Sequence, residues 1–360
     1  DGRDLTLALD SRIQNISVRA LRQAGADHRA VGGGIVVIDA TTGEIVALAN
    51  VPTYNPNNRD HLRTSAMRNR AVTDAFEPGS TLKPFTVALA LESGTVTPQT
   101  QIQTAPGTFA IGSATIRDAH PAGLLSVAEV IQKSSNVGSA RIALNLTPES
   151  MWTLFNGLGF GTSMRLGFPG EATGKVRAAN TWRPIEQATM SYGHGIAISL
   201  LQLARAYTVF ARDGDIVPLT FIRESRSTQA KQVISPKTAH EVRRMLEMAV
   251  QNEGTAPRAQ VMGYRVAGKT GTARKLVNGV YVADQHIASF VGFAPVSDPR
   301  LIIAVMIDEP RAGQYYGGLV AAPVFSTVMG GALRALGVVP DAPMKPIELP
   351  SAAIALKEST

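Results

Sequence analysis

The stretch GYRVAGKTGTARK, from Gly263 to Lys275, constrains the fold more than any other part of the chain. Up to Thr270 it matches G-x-x-x-x-G-K-T, a loop that holds nucleotide phosphates between a strand and a long helix. Lys269 would then lie in a parallel α/β sheet. The alternative is that the whole stretch is one arm of an antiparallel hairpin, and these two structures exclude each other.

The neighbouring residues favour the hairpin. Residues 264–267 have the composition of a strand rather than of a flexible loop. Gly271 is a poor residue for the first turn of a helix, and the turn signal Asn278-Gly279 leaves no room for one. Asp308, at the end of LIIAVMID, could pass for a magnesium-holding residue of a nucleotide enzyme, but it is the only further support for that structure. We therefore predict a β-hairpin here.

The remaining elements are ordered as strands, then helices, then strands with a closing helix. Strands are predicted over 4–10, 286–295 and 301–310, together with a hairpin over 34–50 around Thr42-Gly43. Helices are predicted over 11–27, 76–94, 127–133, 137–146, from 148 onward, and over 200–214, 236–251 and 323–336. Hairpins imply an antiparallel sheet, and helices covering it give an α+β fold.

Composition excludes several classes of function. With 44% hydrophobic and 18% charged residues the chain suits a globular protein, and with no Cys it excludes disulfides and thiol catalysis. The net charge is +7, but the basic residues are spread out, so we expect no nucleic-acid partner. The six His form no H-E-x-x-H, so neither a metal nor a cofactor is expected. No apolar run is long enough to span a membrane.

A candidate nucleophile lies in the first of the middle helices. Ser80-Thr81-Leu82-Lys83 is S-x-x-K, and residues i and i+3 of a helix share a face, so the Lys83 amine can reach the Ser80 hydroxyl. Serine is a weak nucleophile without a neighbouring base. Pro84 has no N–H for the Ser80 carbonyl, so the helix cannot continue regularly through Ser80, which must lie in its first turn.

Two more short motifs follow in order. Ser134-Ser135-Asn136 is S-x-N at the end of a predicted helix, and Lys269 to Thr272 is K-T-G-T on a predicted strand. Each motif alone is weak: Lys83 could be a solvated helix lysine, Ser134 a turn residue, and K-T-G-T a polar strand edge. All three in this order, each on the expected kind of element, predict a serine acyl-transfer site.

With these motifs the chain resembles the class B penicillin-binding-protein transpeptidases, and specifically their division-type (FtsI-type) branch. The resemblance covers about residues 4–340 and includes RNRAVTDAFEPGSTLKPF, IQKSSNVG, LGFPGE, SYGHG, GYRVAGKTGTARK and YYGGLVAAPVFSTVM. It implies the penicillin-binding (serine β-lactamase-like) fold, an antiparallel five-stranded sheet flanked by helices. It also implies a peptidoglycan D,D-transpeptidase that crosslinks stem peptides during septal wall synthesis and is acylated by β-lactams on Ser80.

The resemblance also implies roles for individual residues. Ser80 would attack the penultimate D-Ala carbonyl while Lys83 takes its proton. The other catalytic and substrate-binding residues would be Ser134 as proton relay, Asn136 orienting Lys83 and the substrate amide, Lys269 as a fixed charge, Gly271 within the motif, and Thr270 and Thr272 binding the substrate carboxylate. The backbone N–H groups of Ser80 and Thr272 would form the oxyanion hole. Further candidates around the cleft are Glu77, Tyr192, Arg274, Tyr315 and Tyr316, and His194 replaces an aromatic that relatives often carry in YGHG.

Family resemblance extends to organisation and location. We expect residues 1–30 to be a junction to a missing pedestal domain, 31–340 the transpeptidase domain and 341–360 a tail. Because the chain begins Asp1-Gly2, we expect a fragment whose single-pass anchor is missing, on the periplasmic face of the inner membrane. The expected partners are stem peptides, β-lactams and, through the missing part, a membrane glycosyltransferase and divisome proteins.

Four alternatives remain open. Three share the fold: a D,D-carboxypeptidase, a β-lactamase and a β-lactam sensor. They differ in whether an amine, water or nothing removes the acyl group from Ser80. The fourth is a non-enzymatic peptidoglycan-binding scaffold, which the intact Ser80 and Lys83 disfavour.

Overall fold

The computed structural model describes residues 4–58, 60, 63–223, 229–277 and 279–349. Its centre is a five-stranded sheet that joins strands from both ends of the chain. The five strands are β1 (Gly32–Asp39), β2 (Ile45–Val51), β11 (Ala267–Val277), β12 (Val280–Ala294) and β13 (Leu301–Asp308). Their order is β11-β12-β13-β1-β2, and every neighbouring pair is antiparallel. The predicted α+β fold with a five-stranded antiparallel sheet is therefore confirmed.

In the described part of the chain, helices and four small two-stranded sheets surround this centre. The helices are α1 (Ser11–Asp27), α2 (Thr64–Met67), α3 (Arg70–Thr73), α4 (Lys83–Glu92), α5 (Val127–Lys133), α6 (Asn136–Ala143), α7 (Pro148–Gly157), α8 (Pro184–Met190), α9 (Leu200–Ala206), α10 (Thr208–Ala211), α11 (Pro236–Met248), α12 (Gly317–Val320) and α13 (Ala322–Ala335). The short strands are β3 (Ala75–Phe76), β4 (Gln101–Gln103), β5 (Thr108–Ile111), β6 (Ala114–Arg117), β7 (Leu124–Ser126), β8 (Ile198–Ser199), β9 (Asp215–Ile216) and β10 (Lys231–Gln232). They pair as β3 with β8, β4 with β7, β5 with β6 and β9 with β10.

The sheet is the middle of three layers. Side chains alternate along β1: Val36 and Ile38 pack into the core formed by the middle helices, whereas Ile35 and Val37 face the core under α1 and α13. All eight residues of β1 are buried. A strand covered on both faces must be apolar throughout, which explains the continuous run GGGIVVID.

The hairpin of β11 and β12 excludes the nucleotide-loop interpretation. Lys269 pairs with Val291 and Thr270 with Phe290, so both lie inside an antiparallel ladder and no helix follows them. Asp308 ends β13 and pairs with Gly32 and Ile287. Of the predicted turn, Gly279 has a φ of 81°, as such a turn requires, and Asn278 lies outside the described residues.

Two predicted strand boundaries are wrong. The strand predicted over 4–10 consists of one isolated bridge between Leu7 and Ile222, because Asp10 already caps α1 through its side chain. β11 begins at Ala267 rather than at residue 264, since the backbone N–H of Arg265 is bound by the Asp341 carboxylate and not by a neighbouring strand.

The first helix and the segment after the last helix pack on the central part of the fold. α1 packs on β2 and α13, and Asp341 fastens the segment after α13 to Arg265 and to the backbone N–H of Ser297. The division into a junction over 1–30, a domain over 31–340 and a tail over 341–360 stays a prediction. Among the described residues no helix is both long and apolar enough to cross a bilayer.

Candidate active site

The candidate nucleophile lies in a tight turn ahead of α4. Gly79 to Leu82 form a 3₁₀ turn, and the Lys83 N–H donates to the Ser80 carbonyl. Pro84 explains this geometry, because it cannot supply the N–H that a regular helix would direct at that carbonyl. The turn is also held from outside, since the Tyr207 hydroxyl donates to the Thr81 carbonyl at 2.8 Å. Ser80 is therefore fixed at the start of the helix, as predicted.

Two lysine amines lie on either side of one serine hydroxyl. Lys83 Nζ lies 2.8 Å from Ser80 Oγ, 3.0 Å from Ser134 Oγ and 2.6 Å from the Ser134 carbonyl oxygen. Lys269 Nζ lies 2.9 Å from the same Ser134 Oγ. Both lysines and Ser134 have 0% exposure. The residues of the three sequence motifs thus form one continuous polar chain inside the protein.

Ser134 reaches this position through a left-handed backbone. It is the C-cap of α5, with φ 61° and ψ 39°, and α6 begins two residues later. A residue in the left-handed region reverses the chain sharply at a helix end. Non-glycine residues are uncommon in this region. Here the strained residue carries the hydroxyl that connects the two amines, so the break between α5 and α6 builds the site.

Asn136 is held by groups outside its own motif. Its Nδ2 donates to the Arg117 carbonyl at 3.1 Å, and its backbone N–H donates to Asp118 Oδ1 at 2.5 Å. The other Asp118 oxygen accepts from the Ser135 hydroxyl at 2.7 Å. Asn136 is 4% exposed, and within the described part of the chain its Oδ1 accepts no hydrogen bond. The expected orientation of Lys83 by Asn136 thus does not involve this oxygen.

K-T-G-T lies on β11, which is an edge strand of the sheet. Thr270 Oγ1 is 3.0 Å from Thr255 Oγ1, and Thr272 Oγ1 accepts from the Gly317 N–H at 3.0 Å. At Gly271 a Cβ would come within 2.4 Å of Ser289 Oγ and 2.7 Å of the Pro78 carbonyl oxygen. Glycine is required here because the strand passes directly against the nucleophile turn.

Comparison with known proteins identifies this arrangement. The family model of the penicillin-binding-protein transpeptidase domain matches residues 33–330. The chain belongs to this family of serine acyltransferases.

Several named proteins are similar to this transpeptidase domain. The probable peptidoglycan D,D-transpeptidase PenA of Neisseria flavescens is 48% identical over 344 residues, which cover 96% of this chain and 86% of that protein. Peptidoglycan D,D-transpeptidase FtsI of Escherichia coli K12 is 39% identical over 340 residues, which cover 94% of this chain and 57% of that protein. The chain thus spans little more than half of the FtsI relative.

Among solved structures, the apo transpeptidase domain of penicillin-binding protein 3 from Burkholderia pseudomallei matches with a TM-score of 0.87 and 46% identity. The match covers 95% of this chain and 100% of that chain. The predicted penicillin-binding fold is therefore confirmed over nearly the whole chain.

In this transpeptidase domain the YGHG loop packs on the nucleophile turn. At Gly193, where φ is 86°, a Cβ would lie 2.2 Å from the Gly79 carbonyl oxygen, so no other residue fits. Tyr192 is 6% exposed, and its ring centroid lies 5.9 Å from Lys83 Nζ. Burial raises the pKa of the Tyr192 hydroxyl, so it stays protonated at neutral pH.

Glu77 connects three segments at the rim of the candidate site. Its carboxylate accepts from the Gly195 N–H at 2.8 Å and from the Tyr281 hydroxyl at 3.0 Å. Burial raises the pKa of Glu77, although both hydrogen bonds oppose that rise. His194 lies between two rings, 5.2 Å from Tyr192 and 6.1 Å from Tyr281 by centroids. The carboxylate therefore ties the tip of the β11–β12 hairpin to the YGHG loop.

The pKa of His194 is strongly depressed. Burial is the main cause, and the charges of Lys83 and Arg274 add to it, which together lower the pKa to about 4. Imidazole is therefore neutral at physiological pH. Lys83 is buried and Arg274 is exposed, so charges in the interior and at the rim of the site both affect the pKa of His194.

The aromatic candidates form a stack with a residue that sequence reasoning missed. Tyr315 and Tyr316 have ring centroids 4.4 Å apart, and Tyr315 also stacks on His286 at 4.1 Å. His286 pairs with Arg274 across β11 and β12. Burial, followed by the Arg274 charge, lowers the pKa of His286. Tyr315, Tyr316 and Arg274 thus belong to one surface, with Arg274 exposed on it.

Sequence reasoning also missed Asp118, Tyr281 and Thr255. None of them lies in a motif, and each reaches the site from a different part of the chain. Only Asp118 could have been noticed in the sequence, as a lone acidic residue directly after β6. Such a residue usually lies in a solvated turn, so the hint is weak. The described residues contain no group of three or more His, Cys, Asp or Glu side chains that could hold a metal.

Proposed function

We propose that this chain is the catalytic domain of a peptidoglycan D,D-transpeptidase that acts through an acyl-enzyme on Ser80. The observation that carries the proposal is the buried chain from Ser80 Oγ to Lys83 Nζ, Ser134 Oγ and Lys269 Nζ, with steps of 2.8, 3.0 and 2.9 Å. Such a chain can remove a proton from the nucleophile and deliver it to a leaving amine. The transpeptidase names of the relatives agree with it.

In the acylation step Ser80 Oγ attacks the penultimate D-Ala carbonyl carbon, and its proton passes to Lys83 Nζ. For this Lys83 must be neutral, which its burial and the like charge of Lys269 both favour. The carbon–nitrogen bond then breaks, and the leaving D-Ala amine takes a proton through Ser134. The products are a Ser80 ester and free D-Ala, so atoms and charges balance.

Two backbone N–H groups would stabilise the negative oxygen that forms during the attack. A Cβ on Gly79 would lie 3.5 Å from the Thr272 nitrogen, so the backbone beside Ser80 and the edge of β11 are close neighbours. Thr270 and Thr272 would bind the terminal carboxylate of the substrate. Oδ1 of Asn136, which accepts no hydrogen bond from the described residues, would accept from the N–H of the substrate amide, and this bond would satisfy the buried oxygen.

In the second step the amine of a neighbouring stem peptide attacks the Ser80 ester carbon. A new carbon–nitrogen bond forms, the bond to Ser80 Oγ breaks, and the amine proton returns to the serine. A β-lactam would acylate Ser80 by the first step, with opening of its ring in place of departure of D-Ala. Tyr192, Glu77, Arg274, Tyr315 and Tyr316 would line the substrate cleft.

The wider setting is also part of the proposal. The resemblance to the division-type branch, together with a relative named FtsI, supports a role in septal wall synthesis on the periplasmic face of the inner membrane. There the protein would be joined to a membrane anchor, a glycosyltransferase and divisome proteins. A D,D-carboxypeptidase, a β-lactamase or a sensor would share the acylation step and differ afterwards.

Mass spectrometry after brief incubation with benzylpenicillin tests the central claim. We expect a single covalent adduct on Ser80, no adduct in Ser80→Ala, and an unchanged adduct in the control Ser150→Ala on α7. An adduct in Ser80→Ala would exclude Ser80 as the nucleophile. We also expect a long-lived acyl-enzyme, so rapid turnover of nitrocefin would favour a β-lactamase instead.

A further inference from the structure

A cavity of about 310 Å³ opens beside the outer end of β11, next to the segments around β3 and ahead of β8. Phe76, Ile196, Leu276 and Ile287 give it an apolar lining. Four basic residues also line it: Lys175, Arg177, Arg274 and Lys275. Glu77 and Arg274 line the cavity and also border the proposed cleft, so the two spaces are neighbours.

The charges of this cavity are only partly compensated. Arg177 makes an ion pair with Glu186 at 3.0 Å, and Lys275 is paired with the carboxylate that ends β13. Lys175 and Arg274 are exposed, and neither makes an ion pair with any residue that the structure describes. Two cations beside an apolar lining suit a ligand with aliphatic carbon and free carboxylates.

Glu77 is the acidic residue of the lining, and its charge must be considered. Both of its oxygens accept from the Tyr281 hydroxyl, and one also accepts from the Gly195 N–H. These two donors hold the Glu77 carboxylate against Tyr281 and Gly195. One carboxylate thus stands against two cations that make no ion pair within the described residues, so the net charge at this part of the lining is positive.

The position of the cavity indicates which substrate could use it. In the proposed reaction the leaving D-Ala places its carboxylate beside Thr270 and Thr272. The attacking amine must approach the ester carbon from the place that the leaving amine vacated, because the second step is the reverse of the first with a new amine. Arg274 follows Thr272 by two residues on the same edge strand, so an acceptor longer than D-Ala would extend past Arg274 into the cavity.

We infer that this cavity is the acceptor subsite, and that Lys175 and Arg274 select an acceptor peptide bearing free carboxylates beyond its attacking amine. The inference rests on the proposed transpeptidase function and deepens it. Arg274 neighbours the substrate carboxylate, whereas Lys175 contacts only the extension of the acceptor. Lys175 is thus the residue that separates acceptor selection from acylation.

The test follows the fate of a preformed acyl-enzyme. A D-alanyl thioester donor acylates Ser80, and two acceptor peptides compete with water: one with free carboxylates and one with the same carboxylates amidated. We expect the wild-type protein to prefer the free acid about three- to fivefold, the range of partly exposed ion pairs. Lys175→Gln should remove most of the preference, Lys175→Arg should keep it, and the control Lys237→Gln on α11 should keep it as well. High salt should weaken the preference.

The possible failures can be told apart. No acylation of the wild-type protein by the donor would overturn the proposed function itself. Normal acylation with an unchanged preference in Lys175→Gln would overturn the acceptor subsite alone. A loss of acylation in Lys175→Gln equal to the loss of preference would also overturn the subsite, because Lys175 would then be structural. Thermal melting of each variant would detect such a structural defect.

Discussion

The interior and the rim of the site differ in burial and therefore in the strength of their electrostatic interactions. In the interior Lys83, Ser134 and Lys269 are fully buried and joined by hydrogen bonds of 2.6 to 3.0 Å. At the rim Arg274 is exposed on an edge strand, with His286 paired opposite it. Buried groups feel each other strongly, whereas exposed charges are screened by water and salt. We therefore expect the interior to set the chemistry and the rim to influence which molecules reach it.

The largest effect is expected when the interior loses its base. Lys83→Arg retains a cation, but a guanidinium does not deprotonate and cannot accept the Ser80 proton. We expect acylation by a fluorescent penicillin to fall roughly 10²–10⁴-fold in stopped-flow measurements. Wild-type rates in Lys83→Arg would mean that Ser134 with Lys269 forms the basic pair instead.

Lys269→Arg should have an intermediate effect that separates the two lysines. The fixed charge remains, but the amine that lies 2.9 Å from Ser134 Oγ is replaced by a larger planar group. Loss of one charge-assisted hydrogen bond suggests an acylation rate reduced about tenfold. The same stopped-flow assay measures it, and a loss as large as that of Lys83→Arg would contradict separate roles.

Asp118 supports the interior from outside, so its removal should have a smaller effect on acylation. Asp118→Ala releases the N–H groups of Asn136 and Val137 and the Ser135 hydroxyl. Loss of such a helix cap costs about 0.5–2 kcal/mol of unfolding free energy. We expect severalfold slower acylation together with a lower melting temperature.

Asp118→Asn keeps part of this cap and should recover part of both losses. The control is Asp284→Ala on the exposed part of β12, which should change neither quantity. Unchanged acylation in Asp118→Ala would show that α6 holds Asn136 in place without this carboxylate.

The smallest effect on acylation is expected at His194, which lies between the interior and the rim. Its folded-state pKa of about 4 is below the unfolded value of about 6.5, so the unfolded chain binds the proton more readily. The contribution of neutral His194 to the free energy of unfolding is complete above pH 6.5 and is lost as the pH falls toward 4. The free energy of unfolding should therefore be measured for wild-type protein and His194→Phe at both pH values. The difference between the two proteins should change by about 1–2 kcal/mol from pH 7.5 to pH 5.

Arg274→Gln offers a second test of the electrostatics at His194. Removing this rim charge should raise the pKa of His194, as followed by NMR, because Arg274 contributes to its depression. Acylation at neutral pH should change little in His194→Phe. An unchanged His194 pKa in Arg274→Gln would mean that the rim does not act on the interior electrostatically.

Prediction from sequence succeeded where a local rule was sufficient. The caps at Ser126 and Ser199 fixed the starts of α5 and α9, and Pro84 placed Ser80 in a turn. The run YRVAG was predicted as strand from residue 264, and this failed because Asp341, far along the chain, binds the Arg265 N–H. Steric and capping rules act between residues that are close in the sequence, so they can be applied to the sequence alone. The distant partner of a backbone N–H cannot be found in that way.

The sequence by itself determined which groups we propose for the chemistry: a serine with a lysine one helical turn away, a second serine with an asparagine, and a lysine on a strand. Only the tertiary structure decided that Lys83 and Lys269 contact the same Ser134 hydroxyl, and that Asp118 holds Asn136. The physical reason is that these contacts join residues far apart along the chain. Their distances depend on how the helices pack on the sheet, and no local pattern encodes that packing.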